Sequence, residues 1–195
     1  MMSRTTGELV GILLAGGCSR RFGADKLLHR LRDGTPMAIA SARTLIAVCP
    51  HSVSVLRPQQ TELRRLLTDT AVDVRLAPEA EAGMGSSLAC AVRASADAEG
   101  WLVALADMPF LTAATLHSLL QALRNGADIV APVYRGRRGH PVGFSRRWFA
   151  ELACLQGDVG ARRILDDHPR SVTLIALDDP GVQRDIDTPD DLRIE

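Results

Sequence analysis

The first residues that could do chemistry follow an apolar run near the start of the chain. The apolar run Leu9–Ala15 is followed by two glycines, Gly16 and Gly17. The cationic side chains Arg21 and Lys26 come soon after them. Glycines let backbone N–H groups turn toward an anion, while guanidinium and ammonium groups neutralise its charge. The segment therefore predicts a phosphate-binding loop, with a strand-to-helix turn carrying solvated charges as the alternative.

This loop matches neither of the two best-known phosphate-binding motifs. A dinucleotide-binding loop needs G-x-G-x-x-G, but Gly16 and Gly17 are adjacent and the next glycine is Gly23. A Walker A loop needs a hydroxyl residue directly after its lysine, and Lys26 is followed by Leu27. A dinucleotide-dependent oxidoreductase is an alternative class for such a loop, and the missing motif counts against it.

Composition excludes several other classes of protein. The chain has 195 residues, which predicts a single domain over 1–195. Lys and Arg together number 23, as do Asp and Glu, so no overall field attracts nucleic acid or an anionic membrane. The apolar run near the N-terminus is too short for a signal peptide or a spanning helix, so a cytoplasmic protein is expected. The cysteines are scattered without C-x-x-C pairs. Cys49, Cys90 and Cys154 are predicted to be small buried side chains, and Cys18 is the exception because it lies inside the glycine loop.

Strand-like apolar runs alternate with helical patterns along most of the chain. Leucines at positions 116, 119, 120 and 123 predict a helix that begins after Thr112 and ends at Gly126. Such alternation predicts an α/β fold with a mostly parallel sheet covered on both sides, whose ligands bind beyond the carboxyl ends of the strands. Most of the strands are predicted to be buried on both faces. The predicted strands are Leu9–Ala15, Ser52–Leu56, Val72–Ala77, Trp101–Ala106, Asp128–Val133 and Ser171–Leu177.

Six segments in order resemble those of the molybdenum cofactor cytidylyltransferases, a group of MobA-like NTP transferases that act on molybdopterin. The resemblance implies a Rossmann-like, three-layer nucleotide-diphospho-sugar transferase fold, a nucleoside triphosphate substrate and Mg²⁺. Because the segments span nearly the whole chain, they are more specific together than any one alone. They are LAGGCSRRFGADKLL, EAGMGSSLACAV, VALADMPFL, GRRGHPVGF, LQGDVGARRIL and DIDTPDDL.

Asp107 stands where the apolar run Trp101–Ala106 ends, which would place a carboxylate at the carboxyl edge of the sheet. Mg²⁺ favours one or two carboxylates together with phosphate oxygens, so a single aspartate is a sufficient anchor. A turn aspartate without a metal is the alternative from the residues alone. The resemblance implies that Asp107 holds the metal, with Asp185 as the second carboxylate and Asp187 as a close rival.

The segment GMGSSL predicts a glycine turn into a helix whose free N–H groups and hydroxyls either bind base or ribose or only cap the helix. A lone histidine such as His140 is more often packed or solvated than catalytic, but the resemblance implies that His140 and Arg138 contact a pterin phosphate. The residues implied to bind the nucleotide or the acceptor are Leu14, Ala15, Gly16, Gly17, Gly85, Ser86, Ser87, Arg138 and His140.

The implied reaction is attack by the terminal phosphate of molybdopterin on the α-phosphorus of CTP, with release of pyrophosphate. Arg21, Lys26 and Asp107 are the implied catalytic residues, because this transfer needs positioning and charge stabilisation. The Ala15-Gly16-Gly17 sequence resembles the guanylyltransferases, whereas GMGSSL and RGHPVGF resemble the cytidylyltransferases, so CTP is expected and GTP is the alternative. A third possibility is a non-catalytic accessory protein that delivers the cofactor to a molybdenum hydroxylase.

Overall fold

The computed structural model of the protein describes residues 7–15, 25–188 and 191. In these residues, eight strands form one sheet in the order β3-β2-β1-β4-β7-β5-β6, with β8 paired to β5. The strands are β1 Leu9–Leu14, β2 Ser52–Leu56, β3 Asp73–Leu76, β4 Gly100–Leu105, β5 Ile129–Tyr134, β6 Arg137–Arg138, β7 Val142–Ser145 and β8 Val172–Ala176. The α-helices are α1 Met37–Val48, α2 Thr61–Thr68, α3 Met84–Ala94, α4 Ala113–Arg124, α5 Phe149–Ala153 and α6 Arg162–Asp167.

The sheet is mostly parallel, as predicted. Strand β1 lies parallel between β2 and β4, β2 pairs parallel with β3, and β5 pairs parallel with β8. Strand β7 is antiparallel to both β4 and β5, and β6 forms a hairpin with β5. Strands β6 and β7 come from the stretch around YRGRRGHPVGF, residues 134–144. Its glycines and arginines interrupt the predicted alternation of strands and helices.

Helices cover both faces of this sheet, which confirms the three-layer arrangement. On one face, Ile12 packs in a core with side chains from α3, α5 and α6. On the other, the neighbouring Leu13 packs in a core with side chains from α1, α2 and α4. Successive strand residues point to opposite faces, so both side chains of this pair are buried. No helix in the described part of the chain is long and apolar enough to cross a membrane.

The two outer strands are exceptions to the prediction that most strands are buried on both faces. Strands β3 and β8 are largely exposed or half-buried, and Leu174 on β8 is 56% exposed. Among the described strands, β3 pairs only with β2 and β8 only with β5, so each lies at an edge of the sheet. An apolar run therefore predicted these strands but not their position in the sheet.

Cysteine burial agrees only partly with the prediction from sequence. Cys49 is buried, and burial raises the pKa of its thiol to about 12, so it behaves as a small core side chain. Cys90 is half-buried. Cys154 is exposed, contrary to the prediction, because it follows the short helix α5 at the surface. Cys18 lies outside the described residues.

Helix α4 has the predicted ends and one contact that was not predicted. The Thr112 hydroxyl accepts a hydrogen bond from the Thr115 backbone N–H, and the helix ends just before Gly126, whose φ is +92°. The buried carboxylate of Asp179 also accepts hydrogen bonds from the Thr112 N–H and from the Thr112 and Thr115 hydroxyls. Its second oxygen accepts from the Gly181 N–H, so Asp179 ties the segment after β8 to this helix.

We expect Asp179→Asn to destabilise the fold by about 1–3 kcal/mol, because buried donors lose their charged acceptor. Burial alone would raise the pKa of Asp179, but the hydrogen bonds from Thr115, Thr112 and Gly181 outweigh burial and lower it. Its contribution is then fully present above the unfolded-state pKa of about 3.9 and is lost as pH falls toward the folded-state pKa. Urea unfolding at several pH values should show the wild-type advantage shrinking below about pH 4; an advantage independent of pH would contradict this.

Candidate active site

The carboxyl ends of β1 and β4 meet at one edge of the sheet, next to the predicted phosphate loop. The Ala106 N–H donates to the Leu14 carbonyl at 3.0 Å, which extends the pairing of the two strands beyond their ends. The buried Gln60 donates from Nε2 to the Ala15 carbonyl at 2.9 Å and fixes the residue before the glycines. Gln60 was not among the residues predicted from the sequence, because it belongs to no recognisable motif.

Three charged side chains, Lys26, Asp107 and Asp187, meet at this edge. The Nζ atom of Lys26 lies 2.8 Å from Oδ2 of Asp107 and 2.8 Å from Oδ1 of Asp187. Lys26 begins a short 3-10 turn in which Asp25 accepts a hydrogen bond from the Leu27 N–H. Burial alone would lower the pKa of Lys26, but its contacts with Asp107 and Asp187 outweigh burial and raise it. The ammonium group is therefore charged at neutral pH.

The segment that carries Asp187 is held against the end of β4. The Ile186 N–H donates to the Asp107 carbonyl at 3.0 Å. Oδ2 of Asp191 accepts hydrogen bonds from the backbone N–H groups of Asp187 and Thr188. Asp185, the second carboxylate predicted from sequence, is exposed and makes no described contact with Lys26, so the contact favours its rival Asp187.

One carboxylate oxygen of Asp107 fits a cation site. Oδ2 contacts Lys26, whereas Oδ1 is buried and has no hydrogen-bond partner in the described part of the protein. The described residues contain no group of three or more His, Cys, Asp or Glu side chains that could hold a metal ion. Mg²⁺ does not need such a group, because it is commonly bound by one or two carboxylates and substrate phosphates.

Two adjoining cavities open beside these charges. The smaller, of about 80 Å³, is lined by Lys26 and Asp107 together with Ala15 and Ser87. The larger, of about 480 Å³, lies between the start of α3, the β6–β7 connection and the start of α6. Both are lined by Leu14, Met84 and Leu105, so the two cavities share a wall. The other apolar residues around the large cavity are Leu88, Val103, Val142, Phe144, Val159, Ala161 and Leu165.

Arg138 and His140, both predicted to contact the acceptor, line the large cavity. The Arg138 side chain is 38% exposed and lies 3.6 Å from a carboxylate oxygen of Asp166. Burial lowers the pKa of His140, and the negative charges of Asp107 and Asp185 offset this effect only in part. The imidazole is thus neutral at pH 7, and its buried Nδ1 has no hydrogen-bond partner within the described residues.

The start of α3 is packed tightly against the segment before α6. The Gly85 N–H donates to the Gly157 carbonyl at 2.8 Å, and the Gly157 N–H donates to the Ser86 hydroxyl at 3.1 Å. The Ser87 hydroxyl donates to the Gly83 carbonyl. Both serines are buried, so their hydroxyls stabilise this junction, and a nucleotide-binding role for Gly85, Ser86 and Ser87 stays a prediction.

The predicted phosphate loop is described only at its two ends. Leu14 and Ala15 are buried and line the small cavity, and Lys26 lines it from the other side of the loop. Gly16, Gly17 and Arg21 lie outside the described residues, so their predicted roles stay predictions.

Most of the chain matches one known protein family. Residues 11–172 match the family model described as MobA-like NTP transferase domain. This range covers β1 to the start of β8 and includes Lys26, Asp107, Arg138 and His140, but not Asp187.

Curated relatives carry names of different kinds. The chain is 30% identical to the purine catabolism protein PucB of Bacillus subtilis, over 94% of this chain and 93% of that protein. It is also 30% identical to nicotine blue oxidoreductase of Paenarthrobacter nicotinovorans, over 92% of each chain. A probable molybdenum cofactor guanylyltransferase of Opitutus terrae is 33% identical over 66% of this chain and 62% of its own length.

A solved structure has the same fold over nearly the whole chain. Rv0371c of Mycobacterium tuberculosis superimposes with a TM-score of 0.84 and 30% sequence identity, covering 97% of both chains. Rv0371c in complex with manganese superimposes with a TM-score of 0.80 and 28% identity, again covering 97% of both chains.

Proposed function

Because the chain belongs to the MobA-like NTP transferase family, we propose that it transfers CMP from CTP to the terminal phosphate of molybdopterin. The observation that carries the proposal is the contact of Lys26 with Asp107 and Asp187 beside the 80 Å³ cavity, which adjoins the 480 Å³ cavity. A charged site beside a large, mostly apolar cavity suits two substrates that meet at a phosphate group.

In the proposed reaction, an oxygen of the acceptor phosphate forms a bond to the α-phosphorus of CTP. The bond from the α-phosphorus to the oxygen that bridges to the β-phosphate breaks, and pyrophosphate leaves with that electron pair. The attacking phosphate is already anionic, so no general base is needed. Lys26 and Arg21 would then stabilise the charge that develops on the departing pyrophosphate.

A divalent cation fits the carboxylates at this site. We assign its ligands to Asp107, whose buried Oδ1 has no partner within the described residues, and to Asp187 in place of Asp185. When bound, Mg²⁺ would supply positive charge that stabilises the phosphate groups during the transfer. The manganese complex of Rv0371c supports a divalent cation in this fold.

The large cavity suits the molybdopterin acceptor. Its apolar walls, with Leu88, Val142 and Phe144 among them, would pack against a flat ring system. Arg138 would bind an acceptor phosphate through its guanidinium group, and the neutral His140 would bind a polar group of the acceptor through a ring nitrogen.

Different segments of the sequence favour different bases. The resemblance of GMGSSL and RGHPVGF to the cytidylyltransferases supports CTP, and the Ala15-Gly16-Gly17 sequence supports GTP. The relative named as a probable guanylyltransferase also supports GTP. One methyl group beside a base discriminates by only about 1–3 kcal/mol, so the single glycine does not outweigh the two longer segments.

The test is pyrophosphate release by the purified protein with Mg²⁺ and molybdenum cofactor, with CTP, GTP, ATP and UTP offered separately. We expect release with CTP. Release with GTP alone would replace the cytidylyl assignment with the guanylyl one. Absence of release with all four nucleotides would reject nucleotidyl transfer to this acceptor.

A second candidate function is suggested by the names of two relatives. One relative is named a purine catabolism protein and the other an oxidoreductase. Each is 30% identical to this chain over most of the length of both proteins, and neither name describes nucleotidyl transfer. These names fit an accessory protein that delivers finished cofactor to a molybdenum hydroxylase, or an oxidoreductase that uses a dinucleotide. An accessory protein would bind the cofactor without releasing pyrophosphate, and an oxidoreductase would bind NAD(P)H in spite of lacking G-x-G-x-x-G.

A further inference from the structure

The ammonium group of Lys26 lies where a bridging cation would lie. It contacts one oxygen of Asp107 and one of Asp187 at 2.8 Å each, and the Lys26 side chain is only 13% exposed. The two carboxylates come from segments far apart in the sequence, namely the end of β4 and the segment held by Asp191. Lys26 thus neutralises both carboxylates from within the protein.

A metal ion and this ammonium group cannot both occupy the space between the two carboxylates. Mg²⁺ binds carboxylate oxygens at about 2.0–2.1 Å, which would bring it into close contact with Nζ of Lys26. Two positive charges at that separation repel strongly in a partly buried site. A cation held by Oδ1 of Asp107 and by Asp187 would share both carboxylates with the Lys26 ammonium group, so Lys26 opposes its binding until the lysine moves away.

A nucleoside triphosphate offers Lys26 another partner. The lysine side chain is flexible, so its ammonium group can exchange carboxylate oxygens for phosphate oxygens. The small cavity, of about 80 Å³, lies directly beside Lys26 and Asp107. Once Lys26 has turned to the phosphates, both carboxylates are available to a metal ion.

We propose that Lys26 is a built-in competitor of the divalent cation, which excludes free metal from Asp107 and Asp187 until a nucleotide draws the lysine away. This inference rests on the proposed use of a nucleoside triphosphate. Metal and nucleotide then bind cooperatively, and by linkage each strengthens binding of the other by the same factor. Lys26 consequently has a second role, in the order of binding, besides its role at the departing pyrophosphate.

The test measures binding of Mn²⁺ to the protein without nucleotide, by the electron paramagnetic resonance signal of free Mn²⁺. Lys26→Met keeps most of the length of the side chain and removes its charge, and Lys26→Gln is a second neutral variant. We expect both to bind Mn²⁺ about tenfold more tightly than the wild type, within the usual range of coupling between sites. Lys26→Arg, which keeps the positive charge, should bind Mn²⁺ as weakly as the wild type.

Two further measurements make the result specific. In Lys26→Met, the additional substitution Asp107→Asn should abolish the gain, because Asp107 would be a ligand. Adding CTP should tighten Mn²⁺ binding more in the wild type than in Lys26→Met, since only the wild type has a lysine to displace. Equal or weaker Mn²⁺ binding by both neutral variants without nucleotide would overturn the inference.

This outcome is separable from that of the proposed function. If the protein releases pyrophosphate but the neutral variants gain no affinity for Mn²⁺, the proposed competition between Lys26 and the cation is wrong and the proposed function stands. If the neutral variants gain affinity but no nucleotide supports pyrophosphate release, the competition stands and the assigned reaction is wrong.

Discussion

Replacing Asp107 with alanine is expected to lower the rate of pyrophosphate release by at least about 100-fold, comparable to removing one transition-state stabilising group from an active site. The variant loses the buried Oδ1, which is the proposed cation ligand, and the contact of Asp107 with Lys26. Transfer of a nucleotidyl group depends almost entirely on positioning and charge stabilisation, so few other interactions can compensate.

The fold should survive this change. The Lys26 ammonium group keeps its contact with Asp187 when Asp107 is removed, so the substitution leaves no buried charge unpaired. Urea unfolding of Asp107→Ala should therefore give nearly the wild-type free energy, and Asp69→Ala, an exposed aspartate after α2, serves as the activity control. Near-normal turnover in Asp107→Ala would remove Asp107 from the catalytic residues.

The same assay decides between the two rival carboxylates. We expect Asp187→Ala to lose nearly as much activity as Asp107→Ala, because both side chains contact Lys26. Asp185→Ala should lose less, because Asp185 is exposed and makes no described contact with Lys26. The reverse order would restore the assignment that was predicted from sequence.

Replacing Gly83 with alanine is expected to destabilise the protein by about 3 kcal/mol or more. Gly83 has φ +129° and ψ −174°, a region that is essentially restricted to glycine. A Cβ atom there would also lie 2.6 Å from the Asp158 backbone nitrogen and overlap the Asp158 carboxylate. The junction between the start of α3 and the segment before α6 would have to open.

A matched variant separates the two causes of this loss. Gly34 also has a positive φ, +81°, but a Cβ added there meets nothing within 4 Å. Gly34→Ala should therefore cost only about 1–2 kcal/mol, which is the backbone contribution alone. Urea unfolding of both variants measures the difference, and equal losses would show that the junction is not as tightly packed as described.

Features encoded by neighbouring residues were predictable from the sequence. Six of the eight described strands, the start of α4 after Thr112 and the placement of Asp107 after β4 follow from apolar runs and the polar residues that end them. Parallel strands bring their carboxyl ends to one edge, so the approach of Lys26 to Asp107 could also be expected.

Features that depend on distant segments were not predictable. Ser86 binds the backbone of Gly157, 71 residues away, and no local pattern distinguishes that role from nucleotide binding. Asp185 and Asp187 differ by only two positions, and only the folded segment shows which one contacts Lys26. Apolar runs predicted β3 and β8, but their exposure depends on their place at the sheet edges.

The large cavity is built from two parts of the chain that have different duties. Its inner wall, including Leu14 and Leu105, is shared with the small cavity that Lys26 and Asp107 line, whereas its outer wall comes from Arg138–His140 and the segment from Asp158 to Leu165. Under the proposed function, substitutions confined to the outer wall would reshape the acceptor pocket and leave Lys26 and Asp107, which do not line it, unchanged. This division makes the scaffold a suitable starting point for directed evolution toward new acceptors, because catalytic power and acceptor choice can be mutated independently.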